Sequence, residues 1–125
     1  MVDAEEFKNH IRGILSQQRE VSFLGKDFDI IVQKLSEDRA GKLYDWIRNV
    51  IEREIQPIVV NSKGTYKEWN GNELLVFRQP LDLDGAAYRI LLVKVKNSIY
   101  IEFHLGDHKY YDKVRKDIGL KKGNY

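Results

Sequence analysis

The segment Gly106-Asp107-His108-Lys109-Tyr110-Tyr111-Asp112-Lys113 gathers one imidazole, two phenols, two ammoniums and two carboxylates into eight residues. An imidazole with its ordinary pKa of about 6.5 exchanges protons readily near neutral pH. If the segment opens a helix, His108 and Tyr111 lie three apart and share a face. Arg89, in a strand-like run upstream, can reach the same edge of a sheet, where a guanidinium would hold a phosphate at two points. One reaction uses such a set: attack of an RNA 2′-hydroxyl on the neighbouring phosphate. It requires a base near the 2′-oxygen, an acid near the leaving 5′-oxygen and cations around the phosphorane, and it needs no metal. His108 or Tyr111 would serve as base or acid, with Arg89 and Lys113 as the electrostatic clamp. The plainer alternative for a His-x-x-Tyr pair is an ordinary surface hydrogen bond.

The charge distribution agrees with a polyanionic partner. From Arg89 to the end there are nine Lys and Arg against four Asp and Glu, whereas the first 88 residues carry twelve against fifteen. A basic C-terminal part suits contact with nucleic acid, although a solvated Lys-rich tail would look the same. Lys94, Lys109 and Arg115 are the further candidates for RNA contact. The absence of cysteine excludes disulfides, thiolate catalysis and cysteine-bound zinc. The three histidines, at 10, 104 and 108, are too scattered to suggest a metal site, and no cofactor is expected. No apolar run approaches the roughly 18–20 residues of a membrane span, and the acidic start is wrong for a signal peptide. The expectation is a cytoplasmic protein with no membrane partner.

Several elements must position that segment. Asp3 and Glu6 resemble a capping box, and Phe7, Ile11, Ile14 and Leu15 follow helical spacing, so residues 3 to about 18 read as an amphipathic helix. The run Phe28–Val32 reads as a strand after a break at Gly25. Ser36 caps a second helix whose stripe is Ala40, Leu43, Ile47, Val50 and Ile51, with Trp46 as a flanking anchor. Pro57 ends this helix at or before Gln56. Residues 61–72 form a loop holding Tyr66, Lys67 and Trp69. There Lys67 and Trp69 would meet phosphate and base, unless Trp69 simply closes over the core. Leu74 to Phe77 begins a strand ending near Pro80, and LDLDG turns the chain. Tyr88–Val95, nearly all apolar, reads as a central strand. Asn97-Ser98 makes a two-residue turn, and Ile99, Ile101, Phe103 and Leu105 put one apolar face on the last strand, with Tyr100, Glu102 and His104 opposite. Helices followed by strands predict an α+β fold, with the helices on one face of a small, mainly antiparallel sheet. At 125 residues, one domain is expected.

Tyr88-Arg89-Ile90, the alternating IYIEF and the segment Gly106–Lys113 together resemble the end of HigB-type toxins in the RelE superfamily. The pattern there is an aromatic-Arg-Leu strand, a second strand and Gly-Thr-His-x-x-Tyr-Asp-Lys. Upstream, Leu43-Tyr44-Asp45-Trp46 resembles the family's Leu-x-x-Trp helix, and Trp69 and Phe77 fall where the pattern has aromatics. The resemblance spans roughly residues 28–114. It leaves residues 1–25 as an N-terminal helical extension that would cover the core, form a dimer contact or dock a partner, and 115–125 as a basic tail. It implies the toxin of a toxin–antitoxin pair: an endonuclease acting on mRNA, commonly at the ribosome, silenced by a cognate antitoxin and compatible with a homodimer. Arg89, His108, Tyr111 and Lys113 match the family's site positions. Asp107 departs from the pattern by standing where the family has Thr, which sets a carboxylate beside the phosphate site. Two other readings stay open: a non-catalytic RNA-binding or degenerate toxin-like module, and an inhibitor of a protein target like the ParE-type gyrase poisons.

Overall fold

The structure is a computed structural model, and it describes residues 2–15, 19–52, 55–61 and 73–120. Its elements run α1 (Ala4–Ile14), β1 (Glu20–Leu24), α2 (Phe28–Gln33), α3 (Glu37–Ile51), β2 (Ile58–Asn61), β3 (Glu73–Leu83), β4 (Ala86–Val95), β5 (Tyr100–Asp107) and α4 (His108–Ile118). The fold is α+β. Five strands form one mixed sheet in the order β1-β5-β4-β3-β2, in which β1 runs parallel to β5 and every other pair is antiparallel.

Helices α1 and α3 form where capping and stripe place them. The Asp3 carboxylate accepts from the Glu6 N–H at 3.0 Å, and the Ser36 hydroxyl accepts from the Arg39 N–H at 3.1 Å. Phe7, Ile11, Leu43 and Ile47 are buried against the sheet, and Trp46 packs at the edge of this core. Residues 28–32, expected to be a strand, are the helix α2. Phe28, Ile31 and Val32 are buried while Ile30 is 57% exposed, which is the i, i+3, i+4 pattern of a helix rather than the alternation of a strand.

The N-terminal part is no separable extension. Phe7 packs edge-on against Phe103 with centroids 6.1 Å apart and contacts Phe28 at 6.3 Å. β1, which the sequence reading left unassigned, pairs residue for residue with β5, Phe23 opposite Phe103. At its end Gly25, with φ +145°, brings its α-carbon against the Leu105 carbonyl, where no side chain fits.

β3 continues past Pro80 to Leu83. β2 pairs with β3 only as far as Val76, so the missing N–H of Pro80 falls on an unpaired edge. Asp84 and Gly85 then both take positive φ, the signature of a tight hairpin turn. The β4–β5 connection spans the four residues 96–99, with Asn97 at φ 63°.

Helices α1, α2 and α3 cover one sheet face, as expected. α4 folds back over the other, where Tyr111, Val114, Ile118 and Leu120 pack on Leu74, Val76, Leu91, Val93 and Val95. Residues 115–120 are therefore not a tail. α4 ends in a Schellman motif at Gly119, φ 86°, with the Leu120 N–H donating to the Arg115 carbonyl at 2.9 Å. No helix among the described residues is long and apolar enough to cross a membrane.

Candidate functional site

Strand alternation decides what lies under α4. On β5, Ile101, Phe103 and Leu105 face α1–α3, so Glu102, His104 and Gly106 face α4. These polar side chains, which strand periodicity alone would leave on an open face, are 2% and 4% exposed for Glu102 and His104. They satisfy one another. His104 Nε2 lies 2.8 Å from Glu102 Oε1, and His104 Nδ1 lies 2.7 Å from the Tyr110 hydroxyl oxygen. An ionised carboxylate only accepts, so Glu102 takes the Nε2 proton and leaves Nδ1 to accept from the Tyr110 O–H. Burial, followed by the repulsion of Glu102, pushes the Tyr110 phenol up to about 12, so it stays protonated across the neutral range.

Tyr110 also lines a cleft of about 660 Å³ at the end of the sheet, together with Lys26, Tyr88, Asp107, Lys109 and Lys113. Among the described residues, none of the three lysines has a carboxylate partner. The Tyr88 hydroxyl accepts from Lys34 Nζ at 3.3 Å. The cleft thus brings three ammoniums, two phenols and the carboxylates of Asp27 and Asp107 to one surface. In general, ammoniums can hold a phosphodiester and a phenol can pass a proton. Among the described residues, no group of three His, Asp or Glu comes together to hold a metal ion.

Asp107, where the resemblance expects Thr, caps α4. Its carboxylate accepts from the Tyr110 N–H at 2.9 Å, so its charge is directed at the helix N-terminus. Thr and Asp are both good caps, and the departure preserves the job. Asp107→Ala is expected to lower the unfolding free energy by about 1 kcal/mol and Asp107→Thr by only a few tenths, in urea unfolding.

The predicted site residues divide. Lys109 and Lys113 line the cleft. His108 is exposed on the first turn of α4, five residues and about 140° around the helix from Lys113, and does not line the cleft. Arg89 is half-buried on the α4-covered sheet face, paired in register with Gly106. Three assignments need correction. Tyr111 is 3% exposed and belongs to the core between α4 and the sheet, because helical spacing turns it inward with Val114 and Ile118. Arg115 is 7% exposed and spends its guanidinium on the Leu120 carbonyl at 3.0 Å and Asp112 at 3.4 Å, closing the end of α4 rather than meeting RNA. Lys94 is on the opposite sheet face, near the far end of β4, in a second cleft with Arg19 and Lys96. Lys67 and Trp69 lie outside the described residues.

Lys26, Tyr88, Tyr110, His104 and Glu102 went unassigned as site residues in the sequence reading. The Tyr111, Val114, Ile118 spacing would have buried Tyr111 and turned Tyr110 outward, whereas nothing local ties Lys26 to α4 from 80 residues away. Comparison with protein-family models, with curated proteins and with solved structures finds no match in any of the three.

Proposed function

We propose that this protein is a metal-independent RNA endonuclease, the toxin of a toxin–antitoxin pair acting on mRNA at the ribosome in the cytoplasm and held inactive by its cognate antitoxin. The observation that carries the reading is the cleft beside α4, where Lys26, Lys109 and Lys113 stand without carboxylate partners around Tyr88 and Tyr110. Phosphate neutralisation falls to the lysines. His108, exposed on the first turn of α4, is open to an RNA lying across that turn. Asp107 caps α4 and also lines the cleft, so its carboxylate stands beside the lysines.

The burial of Tyr111 favours a second reading, RNA binding without cleavage, because one of the four positions matched by the resemblance is closed to substrate. One experiment separates the two. The wild-type chain, a Lys109→Ala/Lys113→Ala variant and a Tyr111→Phe variant are induced in a bacterial host, and mRNA 5′ ends are mapped by primer extension. New 5′ ends with the wild type and with Tyr111→Phe, reduced at least tenfold with the double lysine variant, are expected. RNA association with a steep salt dependence and no new ends would leave the binding module. Growth arrest relieved only by protecting gyrase would point to a protein target.

A further inference from the structure

The Glu102–His104–Tyr110 chain is more than a way of burying polar groups. We propose that, on the nuclease reading above, Tyr110 is the residue that receives the proton of the attacking 2′-hydroxyl, with His104 storing that proton and Glu102 holding His104 in the tautomer that can accept it.

Three observations converge on this. First, the chain is continuous from interior to surface: Glu102 Oε1 to His104 Nε2 at 2.8 Å, then Nδ1 to the Tyr110 hydroxyl at 2.7 Å, and Tyr110 is the member that lines the lysine cleft. Second, the positions directly beside the pair are uncharged: Leu91 and Val93 on β4, and Leu24 and Ser22 on β1, stand in register with His104 and Glu102 on the same face. The charged residues next along that face are Arg89, beside Gly106, and Arg78, beside Leu91, while α4 brings the buried Arg115, which donates to the Leu120 carbonyl and Asp112. Third, Tyr110 is held at both ends. Asp107 accepts its backbone N–H, and its ring lies against Gly106, where an added Cβ would come within 2.6 Å of the ring. A hydroxyl on a base that is itself oriented by a carboxylate is the arrangement that activates oxygen for proton transfer.

The step balances without a co-reactant. The 2′-hydroxyl gives its proton to the Tyr110 oxygen as the Tyr110 proton passes to His104 Nδ1, and the imidazolium that forms faces the Glu102 carboxylate. The 2′-oxygen bonds to phosphorus and the bond from phosphorus to the 5′-oxygen breaks. The leaving oxygen takes a proton from a cleft ammonium, Lys109 or Lys113. The products are a 2′,3′-cyclic phosphate and a free 5′-hydroxyl. The proton stored on His104 returns through Tyr110 and recharges the lysine. Tyr110 is the catalytic residue in this scheme, and His104 and Glu102 act through it.

The test uses the purified chain on ribosomes programmed with a defined mRNA, with affinity measured separately on a 2′-deoxy RNA that cannot be cut. Tyr110→Phe keeps the ring and removes the hydroxyl. It is expected to lower the cleavage rate about 100-fold, within the range of a lost general base, and to leave affinity for the 2′-deoxy RNA within about twofold. Glu102→Gln can still accept from His104 Nε2 and hold the tautomer, so it is expected to keep the rate within about tenfold of wild type, whereas Glu102→Leu should fall about as far as Tyr110→Phe with affinity for the 2′-deoxy RNA unchanged. A merely structural role would let the two Glu102 variants differ in stability but not in the cleavage rate of the folded protein. Cleavage by Tyr110→Phe within threefold of wild type would overturn the relay and leave the nuclease standing. A wild-type chain that never cuts, free or on ribosomes, would overturn both.

Discussion

Gly25→Ala is expected to lower the unfolding free energy by about 3–5 kcal/mol, with the loss appearing as a lower urea midpoint at an unchanged slope. Two costs combine. A φ of +145° is a conformation that L side chains rarely adopt, and holding one there costs about 1–3 kcal/mol. The new methyl group would also meet the Leu105 carbonyl, which is backbone and cannot swing aside. Relief requires β1 to part from β5, so the further cost resembles overpacking, at about 1–3 kcal/mol. A loss below about 1 kcal/mol would mean that β1 does not hold its parallel pairing with β5 in solution.

His104→Ala is the second large effect, about 3–5 kcal/mol at pH 7. The histidine makes two of the contacts that allow a carboxylate and a phenol to lie beneath α4, and without it Glu102 remains buried with a charge and no imidazole partner. A Glu102→Leu/His104→Leu variant is expected to recover most of the loss, since an apolar pair avoids the desolvation that the ion pair must offset. Thermal unfolding of Glu102→Leu, His104→Leu and the double variant gives the coupling. Strict additivity would show that the two side chains do not depend on each other.

Much of this architecture is written in local patterns. The Asp3 cap, the Ser36 cap and the stripe from Ala40 to Ile51 specify α1 and α3 through contacts within a few residues. The β4–β5 hairpin follows from alternation and from Asn97. Phe28–Val32 misled because a short apolar run carries both periods, and only the exposure of Ile30 separates them. β1 could not be read locally: EVSFL is five residues long, and the partner that stabilises it begins at Tyr100. The site was legible in composition and not in orientation. Five of the eight residues from Gly106 line the cleft, but which of Tyr110 and Tyr111 faces it depends on where α4 lands. The same packing turns Glu102 and His104 from an apparent polar surface into a buried pair.

The parallel pairing of β1 with β5 also sets when this fold can close. β5 lies between β1 and β4 and supplies Ile101, Phe103 and Leu105 to the core beneath α1. A nascent chain that has reached only Ile99 has α1, α2 and α3, yet lacks the strand that joins β1 to β4. Such closure by distant contacts is slow and comes late in folding. Lys109 and Lys113 follow that strand directly, so the cleft forms only once β5 and α4 are in place. A product truncated before Tyr100 is therefore expected to be unfolded and to lack the cleft altogether.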